Sequence, residues 1–148
     1  MNLYSFLNIG AKLAPSDADR KNAAINTAAE KTRAQWLNAL LVDQTRAWMS
    51  LGETADEVLT AMSTMLTIAG FASVYDTRDT DTPDIRIIRG AISAAIQCKQ
   101  AGSVMQVEHA QAFQSACERA TAIVQAASHD AIIHAAKSIR QTIGLPTT

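Results

Sequence analysis

The sequence predicts an all-α protein, a single-domain antiparallel bundle of four to five helices, and three observations support this fold class. Roughly a fifth of the 148 residues are alanine, which has the highest intrinsic helix propensity. Aromatic residues make up only 5% of the chain, and it contains only 6 Gly and 3 Pro. Apolar residues recur at spacings of three and four, which places them on one face of a helix.

Composition also bounds the class of protein. The chain is 48% hydrophobic and 18% charged with a net charge of -1, so no overall field draws it to nucleic acid or to an acidic membrane surface. Two cysteines are too few for a disulfide scaffold. The N-terminal residues do not resemble a signal peptide, and no stretch approaches the ~20 apolar residues of a membrane span. We therefore expect a cytoplasmic protein with reduced thiols and no membrane partner.

An apolar N-terminal segment, residues 1–15, precedes the predicted helices one and two over residues 16–75. Ser16 is the predicted N-cap of helix one, because acidic residues follow it in the first turn. Helix one is predicted to continue toward Gly52, with a bend or break near residues 22–26. Its main apolar stripe consists of Leu37, Leu40, Leu41, Ala47, Trp48 and Leu51, and a weaker stripe upstream consists of Ile25, Ala28, Ala29, Trp36 and Ala39.

Helix two is predicted to begin at a capping box formed by Thr54 and Glu57 and to end near Gly70, or a few residues later. Its predicted apolar face is Val58, Leu59, Met62, Met65, Leu66 and Ala69. Residues 76–84 contain four Asp, three Thr, one Arg and one Pro and no apolar side chain. This composition predicts an acidic polar loop.

The C-terminal helices are predicted over residues 85–144. Thr82 and Pro83 suit the N-cap and first position of helix three, and Ser103 with Gln106 suggests a capping box for helix four. Helix four carries the longest apolar seam: Phe113, Ala116, Cys117, Ala120, Ile123, Val124 and Ala127. A break at residues 128–130 leads to a last helix with Ile132, Ile133, Ala136, Ile139 and Ile143, which Gly144 and Pro146 end.

No catalytic motif, cofactor-binding glycine pattern or metal-ligand spacing is present in the sequence, so the leading hypothesis is a non-enzymatic helical interaction protein. It would be a regulator, an inhibitor of a larger bacterial or phage complex, or an adaptor, and would dock on a protein partner through a helix face. Close packing of Ala-rich helices also favours self-association as a homodimer. Large apolar and aromatic side chains are typical of interfaces, and the predicted contact residues are Leu3, Phe6, Leu7, Trp36 and Trp48.

Two alternatives remain. Arg78, Arg86 and Arg89 lie close in sequence and could form a basic face for nucleic acid, although the same arginines could equally pair with the acidic loop. Metal or thiol chemistry at Cys117 and His109 is less supported, because eight residues place two side chains about 80° apart around a helix.

Overall fold

The computed structural model describes residues 16–102 and 104–142, which form five α-helices and no strand. We number the helices in chain order as α1 (Asp17–Met49), α2 (Asp56–Thr77), α3 (Pro83–Gln100), α4 (Val107–Ala126) and α5 (His129–Thr142). The predicted all-α bundle is confirmed.

Successive helices run antiparallel, and polar contacts join them at both ends of the bundle. At one end, the Gly52 N–H donates to the Met105 carbonyl (2.8 Å) and the Met105 N–H donates to the Glu53 carbonyl (3.0 Å). These bonds tie the α1–α2 loop to the α3–α4 loop. At the other end, the Asp76 carboxylate accepts from the backbone N–H (2.9 Å) and the hydroxyl (2.6 Å) of Ser128. The end of α2 is thereby held against the start of α5.

Helix α2 lies at the centre of the bundle and packs against the other four helices. The chain of packed neighbours around it runs α5, α1, α4, α3, because α1 contacts both α5 and α4, and α4 contacts α3. Within the described residues, α3 and α5 share no extended interface. The predicted apolar face of this helix is buried throughout: Val58, Leu59, Met62, Met65, Leu66 and Ala69.

The central position of α2 explains its unusual composition. By length and composition it is the one helix in the described part of the chain that could cross a membrane, so the expectation that no such stretch exists is wrong. No charged residue occurs from Val58 to Tyr75, because Ser, Thr, Ala and Gly occupy the polar positions. A core helix of a bundle has the same properties, and half of the apolar window of α2 is buried.

Two predicted helix starts are confirmed. The Ser16 hydroxyl accepts from the Asp19 N–H at 3.1 Å, and the Thr82 hydroxyl accepts from the Ile85 N–H at 3.2 Å with Pro83 at the first helical position. The break before α5 is also found, and there the Ser128 hydroxyl accepts from the Ala131 N–H at 3.1 Å. Each cap satisfies an otherwise unpaired N–H of the first turn.

Other predicted boundaries are wrong. Ala55 is the N-cap residue of α2, without any side-chain cap, and its burial at 6% exposure shows that packing fixes this helix start in place of Thr54. Helix α4 begins after Gln106, whose N–H donates to His109 Nδ1 at 3.3 Å, and residue 103 lies outside the described residues. The later of the two predicted ends of α2 is the one found, since the helix continues past Gly70 to Thr77 and Phe71 packs on the core.

Helix α1 is continuous through residues 22–26, so the predicted break is not found there. Every residue from Ser16 to Ala28 is exposed, so the weaker apolar stripe is not buried at Ile25 or Ala28. The reason is the length of the neighbours: Glu30 and Arg33 already contact the α4–α5 junction, near the end of the bundle. The main apolar stripe is also not buried at Leu41, which is 63% exposed.

Candidate functional site

A groove runs along α2 between α3 and α5, because these two flanking helices do not close over it. It consists of two adjoining cavities of about 360 Å³ and about 310 Å³, which share Thr67 and Ile92 in their linings. We call this surface the α3/α5 groove. Helix α2 contributes Leu59, Thr60, Ser63, Thr64, Leu66, Thr67, Gly70, Phe71 and Val74; α3 contributes Ile85, Ile88, Arg89, Ile92, Ala95, Ile96 and Lys99; and Thr80, His134, Ile139 and Thr142 complete the lining.

The α2 side of the groove combines large apolar side chains with small residues, and the hydroxyls of two of its threonines are already satisfied. The hydroxyls of Thr64 and Thr67 donate to the carbonyls of Thr60 (3.0 Å) and Ser63 (2.7 Å) within α2. A Cβ atom placed on Gly70 would meet no atom of the described residues within 4 Å. Packing among the described residues therefore does not require glycine at position 70, although a glycine inside a helix costs about 0.5–1 kcal/mol relative to alanine. The groove at this point is open down to the backbone of α2.

The charged side chains that line the groove are all basic. Arg89 and His134 line the cavity of about 360 Å³, which we call the upper cavity. Lys99 lines the cavity of about 310 Å³, which we call the lower cavity. The Arg89 guanidinium donates to the Thr80 carbonyl (2.8 Å), and Lys99 Nζ donates to the Thr60 hydroxyl (2.8 Å). His134 packs against the Tyr75 ring with centroids 4.9 Å apart. No aspartate or glutamate of the described residues lines either cavity.

A further depression, of about 480 Å³, lies between α1 and α5; it is larger than either cavity of the groove taken alone but is less suited to an apolar ligand. Its lining combines alanines and isoleucines with Thr32, Lys137, Arg140 and Gln141. The α3/α5 groove is the more apolar of the two, and apolar clefts with a few polar groups are the usual form of binding sites. We therefore take the groove as the candidate functional site.

The predicted basic face is engaged with the acidic loop. Arg86 donates to both oxygens of Asp81 (3.0 and 2.9 Å), which lowers the pKa of Asp81 and raises that of Arg86. Arg89 approaches the same carboxylate at 3.9 Å, and Arg78 lies over the Tyr75 ring at 4.6 Å. The structure brings the three arginines to one end of the bundle. Their role in binding nucleic acid stays a prediction, and the contacts favour the intramolecular pairing.

Of the five predicted protein-contact residues, the structure describes only the two tryptophans. Leu3, Phe6 and Leu7 lie outside the described residues. Trp36 is half-buried and packs on the core, while Trp48 is half-buried and donates from Nε1 to the Gln114 side chain at 3.1 Å. The large apolar side chains that α1 exposes are instead Ile25, Leu41, Val42 and Met49. A contact role for the tryptophans stays a prediction.

Two buried groups face each other between α1 and α4. Burial raises the pKa of Asp43, which Arg46 partly opposes, and burial also raises the pKa of the Cys117 thiol to about 12, with a further contribution from Asp43. A thiol of this kind is protonated and unreactive at neutral pH. His109 lies near Cys98 (Nδ1 to Sγ 4.0 Å), and the described residues hold no group of three His, Cys, Asp or Glu that suits a metal ion.

Sequence reasoning missed the groove, although two signals pointed to it. The uncharged run of α2 is too long to be explained by one buried face, and Gly70 interrupts a helix that continues for seven residues beyond it. Neither signal reveals that α3 and α5 stand apart, since that depends on how the helices assemble. Comparison of the chain with known protein families, with characterised proteins and with solved structures finds no match.

Proposed function

We propose that this protein is a non-catalytic interaction module that binds one helix of a partner protein in the α3/α5 groove. The observation that carries the proposal is the incomplete ring of helices around α2. Neighbours pack in the order α5, α1, α4 and α3, and the position between α3 and α5 holds no described helix. A helix of a partner docked there would complete the ring and remove the apolar walls from water.

The dimensions of the groove suit a helix. Its α2 side extends over residues 59–74, about 22 Å at the rise of an α-helix, which corresponds to roughly four turns. The open position at Gly70 allows a close approach of helix axes, since small residues let backbones come near one another. The side-chain hydroxyls of Thr64 and Thr67 are satisfied internally, so an apolar face on the partner leaves neither of them buried and unpaired.

Selection from a displayed library of 16-residue helix-forming peptides tests this function on the full chain. We expect enriched peptides to carry apolar residues at i, i+3, i+4 and i+7. Their binding should be lost in Gly70→Trp, which fills the upper cavity, and kept in Gly90→Trp. Gly90 is a matched control because it lies within α3, is exposed, and has the same open space around it, with no atom within 4 Å of an added Cβ. An unfolding curve for each variant confirms that both remain folded.

Two results would overturn the proposal. One is a library that yields no binder, or that yields only peptides whose affinity is the same for wild type and Gly70→Trp. The other is binding that appears only when Leu3, Phe6 and Leu7 are all changed to Ser. That outcome would mean that the apolar N-terminal segment of the chain occupies the groove itself.

A further inference from the structure

The basic ends of the α3/α5 groove specify the partner helix further, and this inference rests on the proposed function. We propose that the partner helix is acidic, with an apolar face and a carboxylate near each end of the bound segment. Arg89 and Lys99 supply the complementary charges. Both lie on α3, ten residues apart, which corresponds to about 15 Å along the helix.

Among the described residues, Arg89 has the weaker contact with the carboxylate that it shares with Arg86. Arg86 takes both oxygens of Asp81 in hydrogen bonds, whereas Arg89 reaches that carboxylate only at 3.9 Å. Its short bond goes to the neutral carbonyl of Thr80. Arg86 thus holds the Asp81 carboxylate more closely than Arg89 does, and Arg89 lines the cavity as a cation with no carboxylate of the described residues beside it in the lining. An arginine in this position can bind a further carboxylate from a partner.

Among the described residues, the side chain of Lys99 has only a neutral hydrogen-bond partner. Its Nζ donates to the Thr60 hydroxyl at 2.8 Å, and no carboxylate of the described residues pairs with it. Between the two cations the α3 wall is aliphatic, the α2 wall combines apolar side chains with small hydroxyl residues, and no acid of the described chain lines either cavity. An acidic residue at each end of a bound helix would therefore meet a cation at both ends. Acidic residues separated by eleven positions lie about 16 Å apart on nearly the same face of a helix.

The same charges argue against the chain's own N-terminal segment as the occupant. Residues 1–15 contain one lysine and no acidic residue. This segment would place no negative charge near Arg89 or Lys99. A separate, acidic partner fits the groove better on both apolar and charge grounds.

The experiment repeats the peptide selection on wild type and on the double variant Arg89→Glu with Lys99→Glu. Both residues are exposed, so the variant retains the core. We expect Asp and Glu to be enriched at the peptide ends on wild type, and Lys and Arg on the variant. A single peptide selected on wild type should bind the variant about tenfold more weakly, and exchange of its terminal acids for lysines should restore binding.

Arg20→Glu with Lys21→Glu is the control, because it changes the net charge equally at exposed positions of α1 away from the groove. It should leave the affinity of the wild-type peptide within about twofold in moderate salt, where exposed charges beyond a Debye length are largely screened. The inference would be overturned if the peptides selected on wild type and on the Arg89→Glu, Lys99→Glu variant showed the same charge preference at their ends. Failure of the proposed function would look different, because the selection would then give no peptide whose binding is lost in Gly70→Trp.

Discussion

Two sides of α2 differ in how they are covered, although one helix supplies both. Toward α1 and α4, its side chains meet the buried residues Leu40, Phe113 and Ala116 in one continuous core. Toward α3 and α5, small residues such as Ser63, Thr67 and Gly70 line an open groove. The first side therefore contributes mainly to stability. The second side leaves apolar surface available, which is the property that a binding surface needs.

The largest predicted effect compares two phenylalanines on these two sides. Phe113 is 1% exposed in the core, so Phe113→Ala should lower the free energy of unfolding by about 3–5 kcal/mol. Phe71 lines the groove and is only half-buried, so Phe71→Ala should cost less than about half of that. Chemical denaturation of both variants measures the difference. Equal losses would mean that the groove side is packed as tightly as the core.

A second prediction concerns the contact between α1 and the last turn of α4 at one end of the packed side. The Arg33 guanidinium donates to the carbonyls of Val124 (2.6 Å) and Gln125 (3.2 Å), which are among the unpaired acceptors of the last turn of α4. Arg33→Leu should lower the free energy of unfolding by about 1.5–3 kcal/mol, the range for hydrogen bonds to charged groups.

Arg20→Leu is the matched control, because Arg20 is exposed and has only a 3.8 Å ion pair with Asp17. Its unfolding midpoint should stay close to that of wild type. If both variants lost a similar free energy of unfolding, the effect of Arg33 would come from its aliphatic stem or its helix propensity and not from its hydrogen bonds to the α4 carbonyls.

A third prediction follows from Asp43 on the packed side. Its pKa is raised above 3.8 by burial, so the folded state binds its proton more tightly than the unfolded state. Its contribution to stability is therefore lost as the pH rises from about 3.8 through the folded-state pKa, and stays constant above it. Asp43→Asn should match wild type in acid and be more stable than wild type at pH 7.

Unfolding curves at a series of pH values, with the exposed Glu53→Gln as control, measure this effect. The gain of Asp43→Asn over wild type should grow with pH, and the control should show no such growth. A gain that is independent of pH would assign the effect to packing of the amide and not to the buried charge.

The smallest predicted effect concerns the two helical glycines with open space around them. Gly70→Ala and Gly90→Ala should each raise the free energy of unfolding by about 0.5–1 kcal/mol, since alanine is the better helix former and neither Cβ meets an atom within 4 Å. Thermal unfolding measures both. A loss of stability in Gly70→Ala alone would mean that the groove side of α2 is more closely packed than its open space suggests.

Much of the local structure was predictable because it depends on neighbours in the chain. Ser16, Thr82 and the break at Ser128 mark helix starts through bonds to residues three positions away. The apolar face of α2 was also predictable, since a repeat of three and four residues defines one side of a helix. Thr54 failed as a cap because burial of Ala55 against the rest of the bundle outweighs one exposed hydrogen bond.

The candidate site was beyond the reach of the same reasoning. Arg89 was identified from its spacing to Arg86, but its place at the end of an apolar groove was not. Trp36 and Trp48 were singled out by residue type, and their half-burial depends on which helices α1 meets. Leu41 lies on the predicted stripe and is nevertheless 63% exposed, because α1 contacts its neighbours over a narrower face than the stripe covers.

Periodicity and composition thus suffice for the type and order of the helices and limit their number to four or five, because the signals used depend on contacts within a few residues. The assembly of those helices decided where the groove lies, since two helices that both pack on α2 need not touch each other. Cations 10 positions apart in the chain, Arg89 and Lys99, become the ends of one surface only after α3 packs beside α2. Long-range packing, which no local pattern encodes, made that surface.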